Sequence, residues 1–205
     1  MVPWLSFVFA LVLGAFPWLT KSFGWKPLVA CLVLGIAVAI VGAVFSIVPF
    51  PWTDVIVLVV ALSGGILVGR AIPKRFTPMF LLLLAFSALD IAQSILTSGG
   101  SSSSNSVSTS PFYYGNFLIP LPLGRFNLGI LDILFITAIA EYWRRRSNSI
   151  IIAEIPGVAC FVIADLFIAI TAIGNLPLIP FLTIGWLTSG ALARLILKPR
   201  RRENT

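Results

Sequence analysis

The stretch from Pro78 to Leu96, PMFLLLLAFSALDIAQSIL, combines the length needed to cross a lipid bilayer with one ionisable residue, Asp90. About twenty apolar residues in a helix span the hydrocarbon core. Only a helix satisfies the backbone of such a single segment, because lipid offers no hydrogen-bond partners. A carboxyl group is costly there and usually has a function. The stretch therefore predicts a transmembrane helix in which Asp90 has a specific role.

Similar apolar runs recur along the whole chain, in which 59% of the 205 residues are hydrophobic and 10% are charged. We predict an all-α integral membrane protein of about seven transmembrane helices, forming one membrane domain over residues 1–205. The predicted helices are Trp4–Leu19, Pro27–Ile47, Val55–Val68, Pro78–Leu96, Leu128–Trp143, Ile150–Ile173 and Leu178–Leu197. The domain divides into three N-terminal spans (1–77), two spans with an aspartate each (78–97 and 125–143), a Ser-rich outer loop between them (98–124), and two last spans with a basic tail (149–205).

The basic residues indicate the orientation. In a seven-span arrangement 13 of the 14 Lys and Arg residues lie on one side, with Arg125 as the exception, and this side is expected to be cytoplasmic. The N-terminus is then outside and the C-terminus is cytoplasmic, in the cell membrane of a prokaryote. The clustering explains the net charge of +7 without a nucleic-acid partner. The chain has no His, and Cys31 and Cys160 are isolated in apolar runs, so we predict no metal and no cofactor.

Three acidic residues lie well inside predicted spans: Asp90, Asp132 and Asp165. The other four, Asp54, Glu141, Glu154 and Glu203, lie nearer the ends, where water or Arg can reach them. Asp90 and Asp132 each lie seven residues from the outer loop, taken at Thr97 and Arg125. At the helical rise this is a depth of about 10 Å. The two carboxyl groups are therefore expected at one level on consecutive antiparallel helices.

The surroundings of the two aspartates favour a site that faces the protein interior. Ser87, Asp90, Gln93 and Ser94 share one face of their helix and form a polar stripe. Gly129 lies on the face of Asp132 and allows close approach of a neighbouring helix.

Two adjacent carboxyl groups that share a proton can activate water and protonate a carbonyl, as in aspartic proteases. They can equally serve a proton or cation pathway, or hydrogen-bond structurally. The absence of His excludes a Ser/His dyad and an HExxH zinc site.

Three short motifs occur in an order typical of one protein family: Leu89-Asp90, then Gly129-Ile130-Leu131-Asp132, then Pro177-Leu178-Ile179-Pro180. With them the chain resembles the GxGD intramembrane aspartyl proteases, in the presenilin and signal peptide peptidase branch, over about its last 130 residues. This chain differs from the family's motifs at three points. It has Leu89 where the family has tyrosine, Leu131 where the family has a second glycine, and Leu178-Ile179 where the family has Ala-Leu.

The resemblance implies a presenilin-like arrangement of the last four helices and an intramembrane aspartic endopeptidase. Asp90 and Asp132 would be the catalytic pair, and the substrates would be single-pass membrane proteins or helical peptides in the bilayer. Residues that would shape the site are Gly129, Leu131, Pro177, Leu178, Ile179 and Pro180. The segment Phe117–Leu121 stands where the family pairs with an unwound substrate as a β-strand.

Two alternatives stay open on the sequence. A transporter coupled to protons or cations would use Asp90, Asp132 and Asp165 as a relay across the membrane. Asp165 has no role in the protease family and is the residue that most favours this alternative. A catalytically inactive relative that binds helices is the other, because Leu131 interrupts the GxGD-like motif.

Overall fold

The computed structural model describes residues 5–45, 52–98, 116–120, 125–171 and 178–196. These ranges form seven α-helices and a two-stranded hairpin: α1 Leu5–Leu19, α2 Trp25–Phe45, α3 Trp52–Ala71, α4 Phe76–Ser98, β1 Asn116–Pro120, β2 Arg125–Gly129, α5 Ile130–Ser147, α6 Ile150–Thr171 and α7 Ile179–Ile196. The seven predicted helices are confirmed as helices. The largest difference in length is in α3, which extends the predicted Val55–Val68 at both ends.

Two of the helices are long and apolar enough to cross a membrane: α2 over Trp25–Gly42 and α6 over Ile150–Ile170. The longest apolar stretches found in α1, α3, α4 and α7 are shorter, at 10–17 residues. Length and composition alone therefore mark two spans within the described part of the chain.

The prediction for the start of the fifth helix was wrong. The predicted span began at Leu128, in a domain segment 125–143, but Arg125–Gly129 form strand β2 and the helix begins at Ile130. Strand β2 pairs antiparallel with β1, placing Asn116 opposite Gly129 and Pro120 opposite Arg125. Asp132 consequently lies in the first turn of α5 instead of deep within a helix. Most of the Ser-rich outer loop lies outside the described residues.

Helix α5 lies at the centre of the bundle, where it contacts α1, α3, α6 and α7. Between Ile133 and Trp143 every residue of α5 except Leu134 is buried. Helix α6 packs on α1 and α7, α4 packs mainly on α7, and α2 packs on α3. Apolar side chains from α1, α4, α5, α6 and α7 form most of one continuous core.

Two glycines spaced four residues apart allow α3 to lie directly on α5. A Cβ added at Gly65 would lie 2.5 Å from the Leu134 carbonyl oxygen, and one added at Gly69 would lie 2.6 Å from the Ala138 carbonyl oxygen. Both contacts are to backbone, which cannot move aside as a flexible side chain can. Small residues at this spacing are the usual means by which helices approach closely without a hydrophobic driving force. The Gly65-x-x-x-Gly69 pattern therefore sets the distance between α3 and α5.

Helix α5 also carries a buried carboxylate, Glu141, between two arginines. Its Oε1 accepts a hydrogen bond from Arg70 Nε at 3.1 Å, and its Oε2 accepts one from Arg144 Nε at 2.6 Å. Arg70 continues to the α1–α2 connection, where it donates to the carbonyls of Phe23 at 2.7 Å and Thr20 at 3.2 Å. A fully buried charge is tolerated only when it is paired and hydrogen-bonded. The Glu141 cluster therefore links α1, α3 and α5 at one end of the bundle.

The next two arginines of α5 satisfy backbone carbonyls around the end of α3. Arg145 Nη1 lies 2.9 Å from the Gly69 oxygen, 2.6 Å from the Arg70 oxygen and 3.2 Å from the Ile72 oxygen. Arg146 Nη1 donates to the Lys74 carbonyl at 2.9 Å. The last carbonyls of a helix have no partner within it, and a cation at this end is favourable.

We predict that Gly65→Ala destabilises the protein. The added methyl group meets the Leu134 carbonyl, and overpacking of this kind typically costs about 1–3 kcal/mol. Gly157→Ala in α6 is the matched control, because its Cβ would have its nearest neighbour, Ile136 Cγ2, at 3.4 Å. The measurement is the thermal unfolding midpoint in detergent, which should fall for Gly65→Ala only. Equal midpoints for the two variants would contradict the close packing of α3 on α5.

A second prediction concerns the buried ion cluster. Glu141→Gln keeps the shape of the side chain but removes the charge that two arginines share, and breaking a buried pair costs about 3–5 kcal/mol. Because Arg70 and Arg144 are partly exposed, we expect the loss of unfolding free energy at or below the lower end of that range. Glu154→Gln is the control, since Glu154 makes no ion pair with any described residue. An unchanged midpoint for Glu141→Gln would show that the cluster does not stabilise the fold.

Candidate active site

Asp90 lies on α4 and its carboxylate is bound by the beginning of α7. Its Oδ2 accepts a hydrogen bond from the Ile179 N–H at 3.2 Å, and the backbone of Leu178 lies close to the same carboxylate. Ile179 is the first residue of α7, so its N–H has no acceptor within the helix. Asp90 supplies that acceptor from a neighbouring helix, and its negative charge suits the positive end of the helix dipole.

Asp132 binds the beginning of its own helix. It is the third residue of α5, and its Oδ2 accepts a hydrogen bond from the Gly129 N–H at 2.7 Å. Gly129 is the N-cap, with an extended backbone at φ −80° and ψ 162°. A carboxylate at this position that bonds back to the N-cap is a usual way of starting a helix. Gly129 therefore marks the change from strand to helix.

The negative charge of Asp90 on α4 acts on the carboxyl group of Asp132 on α5. The expected route to this interaction was direct packing of α4 against α5. Instead α4 packs mainly on α7, with Phe86 touching Phe135 of α5 at a ring separation of 4.9 Å. The N-terminus of α7 is thus the part of the structure that holds the Asp90 carboxylate.

The Pro-containing motif before the last helix lies beside Asp90. Leu178 and Ile179 are buried, and Pro180 is half-buried. Pro177 lies outside the described residues. Cys160 of α6 is fully buried next to the motif, where its thiol Sγ lies 3.8 Å from the Leu178 carbonyl oxygen, and it is also within electrostatic range of Asp132. Helices α4, α5, α6 and α7 therefore all contribute to the surroundings of the acid pair.

The polar stripe of α4 faces α7 at Ser87 and Asp90. Ser87 is buried and its hydroxyl lies 2.8 Å from that of Thr183 on α7. Asp90, one turn further along, reaches Ile179. The side chains of Gln93 and Ser94 lie outside the described part of the structure. For Ser87 and Asp90 the stripe thus points into the protein.

The remaining acids occupy different places. Asp165 is buried in α6, at 7% exposure, and is engaged with a neighbour. Glu141 belongs to the arginine cluster, and Glu154 is half-buried where α6 faces Gly14 of α1. The side chain of Asp54 and all of Glu203 lie outside the described residues. Among the described residues no three His, Cys, Asp or Glu side chains group together as a metal site requires.

The chain matches no protein-family model, no curated protein and no solved structure. The functional assignment therefore depends on the residues themselves.

The residues that directly precede the two aspartates lie on outward faces. Leu89 is 62% exposed and Leu131 is 47% exposed. Neither side chain is packed in the interior between the helices.

Sequence reasoning missed two parts of the site. Thr183 is one of several hydroxyl residues on α7, and only its partner Ser87 lay on a recognisable polar face. Cys160 lies in an uninterrupted apolar run, ACFVIA, whose period gives no reason to distinguish it. The contacts that place Thr183 beside Ser87 and Cys160 beside Leu178 join residues far apart in the chain, and no local sequence pattern predicts such contacts.

Proposed function

We propose that the protein is an intramembrane aspartyl protease, in which the seven helices lie in the bilayer and Asp90 and Asp132 hydrolyse helical membrane substrates. The observation that carries the proposal is that the charge of Asp90 on α4 acts on the Asp132 carboxyl group on α5. Each carboxyl group is held by the N–H groups at the start of a helix. The presenilin-like order of the three motifs supports the same function.

The distribution of apolar side chains supports a bilayer environment. Large aliphatic side chains stand exposed along the outer helix α2, among them Val33, Leu34, Ile40 and Val44, which are 59–70% exposed. A soluble monomer rarely exposes a continuous apolar face of this kind. Lipid chains would cover it.

The chemistry that the pair can perform follows from sharing one proton. The ionised carboxylate takes a proton from water as the water oxygen bonds to the scissile carbonyl carbon, and the protonated carboxyl gives its proton to the carbonyl oxygen. The tetrahedral diol then collapses: one of its hydroxyl groups gives its proton to the carboxylate that is now ionised as the carbonyl re-forms and the C–N bond breaks. The leaving nitrogen takes its proton from the other carboxyl group, so the pair again shares one proton. The backbone hydrogen bonds to Asp90 and Asp132 restrict both side chains before substrate arrives.

The β-hairpin suggests how a substrate would be presented. A substrate helix must unwind before its peptide bond can be cleaved, and its freed backbone groups then need partners within the bilayer. Strands β1 and β2 directly precede α5, so an added substrate strand would lie next to Asp132. The segment Phe117–Leu121, which the resemblance indicates for this pairing, contributes residues 117–120 to β1.

We predict that Asp90→Asn and Asp132→Asn each abolish cleavage while the protein stays folded. The Asn side-chain oxygen can still accept the hydrogen bond from Ile179 or Gly129, so the helix starts are retained, but an amide can neither remove a proton from water nor donate a carboxyl proton. The measurement is cleavage of a panel of single-span peptides by purified protein in proteoliposomes, with the unfolding midpoint as a check of folding.

Asp165→Asn is the matched control and should retain cleavage. A proton relay would instead be impaired by all three substitutions, and it would show ion transport without peptide cleavage. Full cleavage by either Asp90→Asn or Asp132→Asn would refute the protease proposal. A wild-type protein that cleaves no member of the panel would favour the inactive relative.

The proposed orientation has its own test. Because 13 of the 14 basic residues lie on one side of a seven-span arrangement, we expect a reporter fused after Ser104 to be outside and one at the C-terminus to be cytoplasmic. Paired fusions of an enzyme active only in the periplasm and a fluorophore that matures only in the cytoplasm measure both positions. A cytoplasmic signal after Ser104 would reverse the orientation.

A further inference from the structure

Two buried hydroxyl groups connect α4 to α7 one turn away from Asp90. Ser87 Oγ lies 2.8 Å from Thr183 Oγ1, and the exposed fractions of the two residues are 6% and 8%. Thr183 Oγ1 also lies 3.0 Å from the Ile179 carbonyl oxygen of its own helix, to which it donates. A hydroxyl group has one hydrogen to donate. Ser87 is therefore the donor and Thr183 the acceptor in the bond between the helices.

Ile179 is consequently held on both sides of its backbone. Its N–H donates to Asp90, and its carbonyl accepts from Thr183, which in turn accepts from Ser87. Asp90 and Ser87 are three residues apart on α4, and Ile179 and Thr183 are four apart on α7. Such spacings place each pair on one face of its helix. The two helices are thus joined by two polar links one turn apart.

We propose that Ser87 and Thr183 are positioning residues, which hold the first turn of α7 so that the Ile179 N–H orients the Asp90 carboxylate. This rests on the proposed function, since it concerns the orientation of a catalytic group. The physical reason is that catalytic geometry is sensitive to small displacements, and a shift of about 1 Å can lower a rate by about 100-fold.

The first test compares Thr183→Val with Thr183→Ser. Valine keeps the shape and removes the hydroxyl group, so kcat for a fluorogenic single-span peptide in proteoliposomes should fall by about 10- to 100-fold, with KM little changed. Serine restores the hydroxyl group and should restore most of kcat. Thr188→Val is the control on the same helix, because the Thr188 hydroxyl bonds only to the Gly185 carbonyl within α7 among the described residues.

A second pair of variants tests whether Thr183 acts through Ile179. Ile179→Pro removes the N–H that Asp90 accepts, at the first helical position, where proline is tolerated. Ile179→Val keeps the N–H and controls for the side chain. If both residues act through one hydrogen bond, Thr183→Val combined with Ile179→Pro should lose no more kcat than the more damaging single variant. Losses that multiply would overturn the proposal.

A third measurement needs no cleavage. In a Cys31→Ser background, the rate at which a membrane-permeant maleimide alkylates Cys160 reports on the first turn of α7, because the thiol lies beside the Leu178 carbonyl. Thr183→Val should speed this reaction and Thr188→Val should not. If the wild type cleaves no peptide, the protease proposal fails. The alkylation rates still test whether Ser87 and Thr183 fix the position of the first turn of α7. Equal alkylation rates of Cys160 in Thr183→Val and in the wild type would overturn the proposed positioning role.

Discussion

One peptide group, between Leu178 and Ile179, connects α4, α6 and α7 beside Asp90. Its N–H donates to Asp90 on α4, and its carbonyl accepts from the Cys160 thiol on α6 and from N–H groups of the first turn of α7. A backbone N–H at a helix start has no partner in its own helix, and in an apolar interior an unpaired group costs about 1–3 kcal/mol. The requirement to satisfy this N–H brings a carboxylate to it. Asp132 meets the same requirement at the start of α5.

Under the proposed function each aspartate has a chemical role in addition to its structural one. The structural role needs only a hydrogen-bond acceptor, whereas the proposed hydrolysis needs a group that exchanges a proton. Asparagine meets the first need and fails the second, which is why the two roles can be separated by experiment. The same reasoning distinguishes Glu141, whose charge is neutralised by Arg70 and Arg144 and whose role is to hold α1, α3 and α5 together.

Much of the helical framework could be predicted from the sequence, because apolar length and helical period are local properties. The end of α1 at Leu19 and the start of α6 at Ile150 were placed correctly. The family resemblance also indicated a strand at Phe117–Leu121, and residues 117–120 lie in β1. The boundary between strand β2 and helix α5 at Gly129 was predicted wrongly, because a sequence of the form Asn-Leu-Gly-Ile-Leu is compatible with either a strand or a helix.

The packing partners could not be predicted, because they depend on contacts between distant residues. The sequence predicts that the consecutive helices α4 and α5 pack against each other and bring Asp90 to α5. In the structure α4 packs mainly on α7. The sequence predicts that the basic clusters are topological anchors. In the structure Arg145 and Arg146 also bind backbone carbonyls around the end of α3. Gly65 and Gly69 were not recognised as a contact surface, since glycine spacing alone does not indicate which helix approaches.

The central claim, that Asp90 and Asp132 face each other, is tested most directly by cross-linking in the membrane. Cysteines replace both aspartates in a protein without Cys31 and Cys160, a protease site is inserted after Ser104, and the shortest bifunctional methanethiosulfonate reagent is added. We expect the two halves to stay joined after proteolysis until a reductant is added. Ser87→Cys with Thr183→Cys is the positive control, since their hydroxyl oxygens lie 2.8 Å apart. Separation of the halves for the aspartate positions, with the control pair joined, would contradict the dyad.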